Sequence, residues 1–556
     1  MKKLKFDFKT AKKWIATGIA ATILTTFATG CSRIDDKKID ANTYENEEIE
    51  TVVDVEETEI PYIEETEITQ EKNVGKYAEK IVISSVEDIE EAKKYDSIRY
   101  LKIEKANIKD FSFLKDINIE LLQVLYNNEP LDMECINSES IKQLYLHEVE
   151  LVNTDACENF KNLENFVIKS NSINRTTTNF DFLKQCKNIT NIEIENYAIK
   201  DLDFVENMNE LSTLSVISSS VEDISCLKNC DNLLSLTLKR GRIKDISSIA
   251  DMKELQYLDL SENYISDVRS INNTNLSYLN LQENSIKDVS GLKSLKNLTA
   301  INLSQNYIKE FPAHLIKDNL SLDLSYNNIK NLTAEDKRLL NSTNVFVNMF
   351  DNLLSNDTVK EIGTYQSIYF EANGGILDSN QALEYNREMS KILSTMKSGE
   401  DKENVMKINK YIVDNCKLDF SYVAENKDNA YGAMFDKSVC TGMTDLTNSM
   451  LRHLDIEVKE YHGDMNDITD NERHVWTACK IGNEWFHCDP MQSKVHLDEN
   501  DYPEIVMLSD SQIREYGHIL DAPNVQKCNS ELSAEERNNI IENIEKDNSQ
   551  ELEDDR

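Results

Sequence analysis

LQYLDLSENYISDV (Leu255 to Val268) is followed by LSYLNLQENSIKDV (Leu276 to Val289), LTAINLSQNYIKEF (Leu298 to Phe311) and LSLDLSYNNIKNL (Leu320 to Leu332). Asn263, Asn284, Asn306 and Asn327 recur at steps of 21, 22 and 21 residues. The frame continues upstream with weaker residues at the Asn position, in LSLTLKRGRIKDIS, LSTLSVISSSVEDIS, ITNIEIENYAIKDLD, LENFVIKSNSI, IKQLYLHEVEL and IRYLKIEKANIKDF. That makes about ten or eleven repeats. Each LxL reads as a short strand with its leucines facing inward, the Asn satisfies turn backbone inside the bend, and the next apolar pair fills the return segment. Stacked units of this kind build a parallel sheet on a curved solenoid. Amphipathic helices would instead need apolar residues every three to four positions over longer stretches.

The pattern LxxLxLxxNxI resembles leucine-rich repeats, closest to the bacterial internalin-like type. In this frame the residues flanking the strand leucines face the concave side: Tyr100, Lys102, Tyr145, His147, Glu193, Thr237, Lys239, Tyr257, Asp259, Tyr278, Asn280 and Asn302. Tyrosines among mixed polar groups suit recognition of a protein partner, although the same face is also simply the solvated side of a sheet. TNVFVNMFDNLL (Thr343 to Leu354) reads as a last strand capping the open end, which places the repeat domain at 76–354.

After Leu354 the period stops and helical stretches follow, QALEYNREMSKILSTM and ENVMKINKYIVDNC. In CTGMTDLTNSMLRHL, Met443, Leu446, Met450 and Leu454 share one helical face, so Cys440 stands at a helix start, where the positive end of the dipole favours a thiolate. RHVWTACKIGNEWFHCDP (Arg473 to Pro490) reads as two strands around a Gly482-Asn483 turn. In that register Ile481 faces Glu484, and His474 lies diagonal to Asp489 on one face, within reach of an imidazole–carboxylate bond.

SVCTGM, HVW and EWFHCDP, in that order, resemble the transglutaminase-like superfamily of papain-like cysteine enzymes, and INKYIVDNCKLDFSY and NAYGAMF resemble its lead-in. The resemblance spans about Lys407 to Gln492 and implies an α+β domain, placed at 355–530. It implies Cys440 as nucleophile, His474 as general base and acid, and Asp489 as the group orienting His474. Trp476 and Trp485 would line the cleft or fill the hairpin core, and Tyr431 belongs to the lead-in. No metal site is expected: Cys479, Cys488, His487 and His474 lack metal-ligand spacing, and Cys479 and His474 point to opposite faces of one strand. Some members of the family need calcium. The acidic loop GDMNDITDNE (Gly463 to Glu472) does not follow the EF-hand order, so no cofactor is expected beyond a weak calcium site.

The chain of 556 residues carries a net charge of -39, which excludes nucleic acid as a partner. Roughly half of that charge lies in two segments: Asp35 to Glu71, with 15 acids against 2 bases, and Glu531 to Arg556, with 10 against 3. The first, with its Glu- and Thr-rich surroundings, reads as a disordered linker at 32–75; the second reads as a short helix with a Ser533–Glu536 capping box before an acidic tail, at 531–556.

Lys2, Lys3, Lys5, Lys9, Lys12 and Lys13 precede the apolar run WIATGIAATILTTFA, which is short for a membrane span. It ends in ATGC, which resembles the bacterial lipobox, with Ala28 where the box usually has Leu. This implies a signal peptide at 1–31 and lipidation of Cys31; an uncleaved anchor and a plain secretory signal are the alternatives. All three place the body of the protein outside the cytoplasm. The remaining cysteines are scattered and mostly flanked by apolar residues, with Cys226 and Cys230 the one close pair, so no disulfide framework is expected.

The resulting expectation is a multidomain, membrane-anchored cell-surface lipoprotein. Its repeats bind a protein partner, and its cysteine domain acts on protein amides by hydrolysis, deamidation or cross-linking through a thioester, with hydrolysis favoured because it needs only water. The alternative is a catalytically inert leucine-rich-repeat adhesin or receptor.

Overall fold

Leu236, Leu258, Leu279, Ile301, Leu322 and Val347 occupy the same register on successive parallel strands, each fully or almost fully buried. This leucine column is the core of the computed structural model, which describes residues 75–554 apart from 155–159, 178, 207, 373–374, 397–398, 420–427, 466–473, 495, 499–500 and 521–526. The signal-peptide and linker readings, Cys31 and most of the acidic loop at 463–472 lie outside the described residues. Among the described residues the repeats form one 15-stranded sheet in sequence order, from Tyr77–Ile83 to Gly375–Leu377.

The asparagines hold the turns. Asn306 Oδ1 accepts from Ile286 N (3.0 Å), and its Nδ2 donates to the carbonyls of Leu281, Leu303 and Ser304. Asn263, Asn284 and Asn327 repeat this pattern, and Asn352 extends it beyond the regular period. The residue before each Asn has a left-handed backbone: Glu262, Glu283, Gln305, Tyr326 and Asp351, with φ between 49 and 57°.

The sheet does not end at Thr343–Leu354. Ile368–Ala372 adds a further parallel strand after Phe346–Asn348, and Gly375–Leu377 closes the edge as an antiparallel hairpin partner. YFEA lacks the leucine-asparagine signature, so this coil is hidden from a period search. The C-terminal segment also departs from expectation: Ala534–Asp554 is one 21-residue helix rather than a short helix and loose tail. Its Ser533–Glu536 capping box is present, and Ile541 and Ile544 are buried, so spaced isoleucines outweigh the charge.

The second domain places helices Ser379–Leu393, Asp401–Asn415 and Cys440–His453 beside a five-stranded antiparallel sheet. The order of that sheet is Val506–Leu508, Glu484–Cys488, His474–Ile481, Glu457–Met465 and His518–Ile519. Gly75–Arg556 is one compact unit. The two parts meet through the left-handed turn residues: Tyr326 OH donates to Asp445 (2.9 Å), Asp351 bonds His453 (2.8 Å) and Ser449, and the Glu283 carbonyl accepts from buried Lys459 (2.7 Å).

Candidate active site

Cys440 is the first residue of a 14-residue helix whose remaining side chains from Gly442 to His453 are buried. Val439, at the N-cap, offers no side-chain cap, so the N–H groups of Cys440, Thr441 and Gly442 stay outside the helix ladder at its positive end. The helix is bolted to the strand beside it: Thr444 Oγ1 donates to the Val475 carbonyl (3.0 Å) and Thr477 Oγ1 to Asn448 Oδ1 (2.9 Å).

The hairpin has the register its turn requires. Ile481 pairs with Glu484 and Thr477 with Cys488, around Gly482 at φ +63°. Diagonally beyond that pair, His474 Nε2 lies 2.5 Å from Asp489 Oδ2, both buried. The Cys440 side chain acts on the same imidazole and helps to raise its pKa. Since Nε2 is held by Asp489, the nitrogen left for sulfur is Nδ1. Burial pulls the His474 pKa down, but the Asp489 carboxylate and the Cys440 contact outweigh it and lift it to about 10. Burial opposes ionisation of Asp489, and the charge and hydrogen bonds of His474, with help from His518, hold it well below the usual carboxylate range. The result is a carboxylate–imidazole–thiol chain at a helix N-terminus, the arrangement that generates a nucleophilic thiolate. Burial pushes the thiols of Cys186, Cys226 and Cys416 up to about 12. Cys226 and Cys230 are free thiols.

Trp476 is fully buried, stacked on Tyr461 (4.6 Å) and on His474 (5.7 Å), so it belongs to the hairpin core and backs the histidine. Trp485 packs edge-on against Tyr264 of the repeats (5.9 Å), an interdomain contact rather than a cleft wall. Tyr431 lies on the Ala430–Phe435 helix, half-buried, with its ring 5.0 Å from Phe435. His518 was not singled out by the sequence: its Nε2 lies 2.7 Å from Asp489 Oδ2. An imidazole 29 residues away, on a two-residue strand, carries no local signal.

Of the concave residues, Tyr145, Lys239 and Tyr278 remain partly exposed, but Tyr257, Asp259 and Asn280 are buried. They are spent on the ladder itself, not on solvent. Tyr257 stacks on Tyr278 (4.5 Å), while Asp259 accepts from Ser261 and from Asn280 Nδ2 (3.0 Å). Lys239 is paired with Glu262 (3.1 Å).

Two groups bring three ligand-type side chains within 4.8 Å: His474, Asp489 and His518; and His487, Asp510 and Cys528. Several of their atoms are engaged in hydrogen bonds, as in His487 Nε2 with Asp510 Oδ1 (2.9 Å), Trp476 Nε1 with His487 Nδ1 (3.1 Å) and His518 Nε2 with Asp489 Oδ2 (2.7 Å).

Comparison with known families agrees with both halves of this geometry. The model for the transglutaminase-like superfamily matches residues 390–490, and that for leucine-rich repeats (2 copies) matches 274–316. The chain therefore joins a leucine-rich-repeat solenoid to a transglutaminase-like domain. An internalin (inlF) from Listeria monocytogenes is similar at 23% identity, covering 50% of this chain and 80% of its own, with a TM-score of 0.43. An internalin C2 (inlC2) from the same species is 24% identical over 33% of this chain and 79% of its own, with a TM-score of 0.29. The curated proteins give no match.

Proposed function

We propose that this protein is a cysteine-dependent acyl-transfer enzyme acting on protein amides. The observation that carries this reading is the chain from Asp489 through His474 to Cys440 at a helix start. The thiolate attacks a glutamine carboxamide or peptide carbonyl, and the oxyanion faces the N–H groups at the start of the Cys440 helix. The His474 imidazolium gives its Nδ1 proton to the departing amine or ammonia, leaving a thioester on Sγ. Water, or a lysine amine, then attacks the thioester while His474 takes its proton, which restores the thiol pair. Hydrolysis is the favoured second step, since it needs only water.

The partly exposed Tyr145, Lys239 and Tyr278 on the strand face are the proposed contact with a protein partner. The proposed location is the extracytoplasmic face of a membrane, through lipidation of Cys31; fatty-acid labelling that survives Cys31→Ser would remove that element. The main experiment incubates a glutamine- and lysine-containing protein mixture with the wild type and with Cys440→Ala, read by mass spectrometry. Cleavage, deamidation or cross-linking that depends on Cys440 supports the reading, and identical spectra overturn it in favour of an inert binding protein.

A further inference from the structure

Asp489 accepts three hydrogen bonds, and only one of the donors, His474, belongs to the carboxylate–imidazole–thiol relay just described. Oδ1 accepts from Gln492 N (3.0 Å), while Oδ2 accepts from His474 Nε2 (2.5 Å) and from His518 Nε2 (2.7 Å). The side chain of His518 is fully buried on the Asp489 side of Trp476, whose ring it meets edge-on at 4.8 Å. Its backbone sits at the sheet edge, opposite Met465.

The other ring nitrogen of His518, Nδ1, has no hydrogen-bond partner among the described residues. The contact with Asp489 places a proton on Nε2, because an imidazole protonated on Nδ1 alone would set two lone pairs, Nε2 and the carboxylate, against each other. The Nδ1 atom argues against a filling role. An apolar ring would occupy the same space without burying an unpaired nitrogen, so what His518 contributes must come from Nε2–H. Two donors on Oδ2 and one on Oδ1 fix the carboxylate plane from both ends, and each favours the ionised form.

We propose that His518 is a positioning residue, which holds the ionised Asp489 carboxylate in the orientation from which it engages His474. The inference rests on the cysteine-enzyme reading above. Among the described residues, the ionisable groups around His518 are Asp489, His474 and, through it, Cys440 on one side. Beyond Trp476 they are Tyr461 and His487, with Asp510 and Arg514 against the latter.

The test follows alkylation of Cys440 by iodoacetamide in the full chain across pH, quantified on the Cys440 peptide. His518→Phe keeps a ring against Trp476 and removes the donor; His518→Gln keeps an N–H. The Phe variant is expected to react about tenfold more slowly at pH 6, with the acid limb of its profile shifted to higher pH, and the Gln variant to recover most of the rate. A folded Phe variant with the wild-type profile overturns the proposal. If neither variant folds, 15N-histidine NMR of the wild type decides it: a proton on His518 Nε2 is expected, and one on Nδ1 alone overturns it. Failure of the underlying reading looks different, since wild-type Cys440 would then react no faster than Cys440 in His474→Ala.

Discussion

Tyr326, in the left-handed turn of the last regular repeat, donates a 2.9 Å hydrogen bond to Asp445, on the helix that Cys440 begins. The same Asp445 oxygen accepts from Ala430 N (2.8 Å), so one buried carboxylate ties the repeats, the lead-in helix and the nucleophile helix together. Tyr326→Phe keeps the ring against Phe350 (5.4 Å) and removes only the donor. It is expected to lower unfolding free energy by about 1–3 kcal/mol and to slow Cys440 alkylation. Urea unfolding checks the first effect and peptide mass spectrometry the second.

His453 is held at both nitrogens by repeat residues, Nδ1 by Asn328 (2.9 Å) and Nε2 by Asp351 (2.8 Å), with both side chains of the latter pair 1% exposed. A second domain expressed without the repeats would present this polar helix face to water with its partners gone. Residues 378–554 alone are expected to bind a hydrophobic dye and to show no cooperative melt, whereas residues 75–554 melt as a unit. A sharp melt for the short chain refutes this.

Stability should depend on pH through three buried groups. Burial, together with nearby Glu460, lifts the Asp445 carboxyl to about 7 from its ordinary 3.8. The folded state therefore binds the extra proton between these values, and stability falls as pH rises through that window. Despite its burial, His474 stands at about 10 against an ordinary 6.5, so its contribution is complete below 6.5 and is lost as pH rises through 10. Asp489 is depressed, so its contribution is present above 3.8 and is lost as pH falls through its folded value. Urea midpoints are expected to be highest on the mildly acidic side and to decline toward pH 10. Asp445→Asn should flatten the slope between 4 and 7, and His474→Gln the slope between 6.5 and 10.

The same electrostatics predicts catalysis. Asp489→Asn keeps the size of the side chain and removes the charge that outweighs burial at His474. The alkaline limb of kcat/KM for an amide substrate is expected to move down from near 10 toward 6.5, with a rate loss of at least tenfold at neutral pH. An unchanged limb would remove Asp489 from the role of orienting group.

How much of this was legible depends on the range over which each signal acts. The repeats were, because the Leu260 carbonyl and the asparagines Asn263 and Asn284 satisfy one another within a single turn and its neighbour. The His474–Asp489 register was, because Gly482 adopts the positive φ that a two-residue turn requires and counting does the rest. The strand Ile368–Ala372 was not, since a terminal coil need not carry the asparagine that stacks on a following one. His518 and the Tyr326–Asp445 bond were not, because nothing local marks partners 29 and 119 positions apart. Tyr257 and Asp259 flank Leu258 as expected but are buried, because alternation gives the face of a strand and not what covers it.

Gly463 illustrates a constraint of this hidden kind and carries the last prediction. It pairs with His474 across the Glu457–Met465 and His474–Ile481 strands. A Cβ placed on it would meet the Ile519 carbonyl oxygen at 2.5 Å and Trp476 Cη2 at 2.7 Å. The first is backbone of the strand that carries His518, and the second is a buried ring wedged between His474 and His518, so neither can yield alone. Gly463→Ala is therefore expected to cost about 1–3 kcal/mol from overpacking, and to displace His518 from Asp489 as the edge strand moves. The acid limb of Cys440 alkylation should then shift upward as it does in His518→Phe, with Gly463→Ala adding little to the His518→Phe variant. Full additivity of the two, measured in one alkylation series, would mean that the glycine acts only on stability and not through His518.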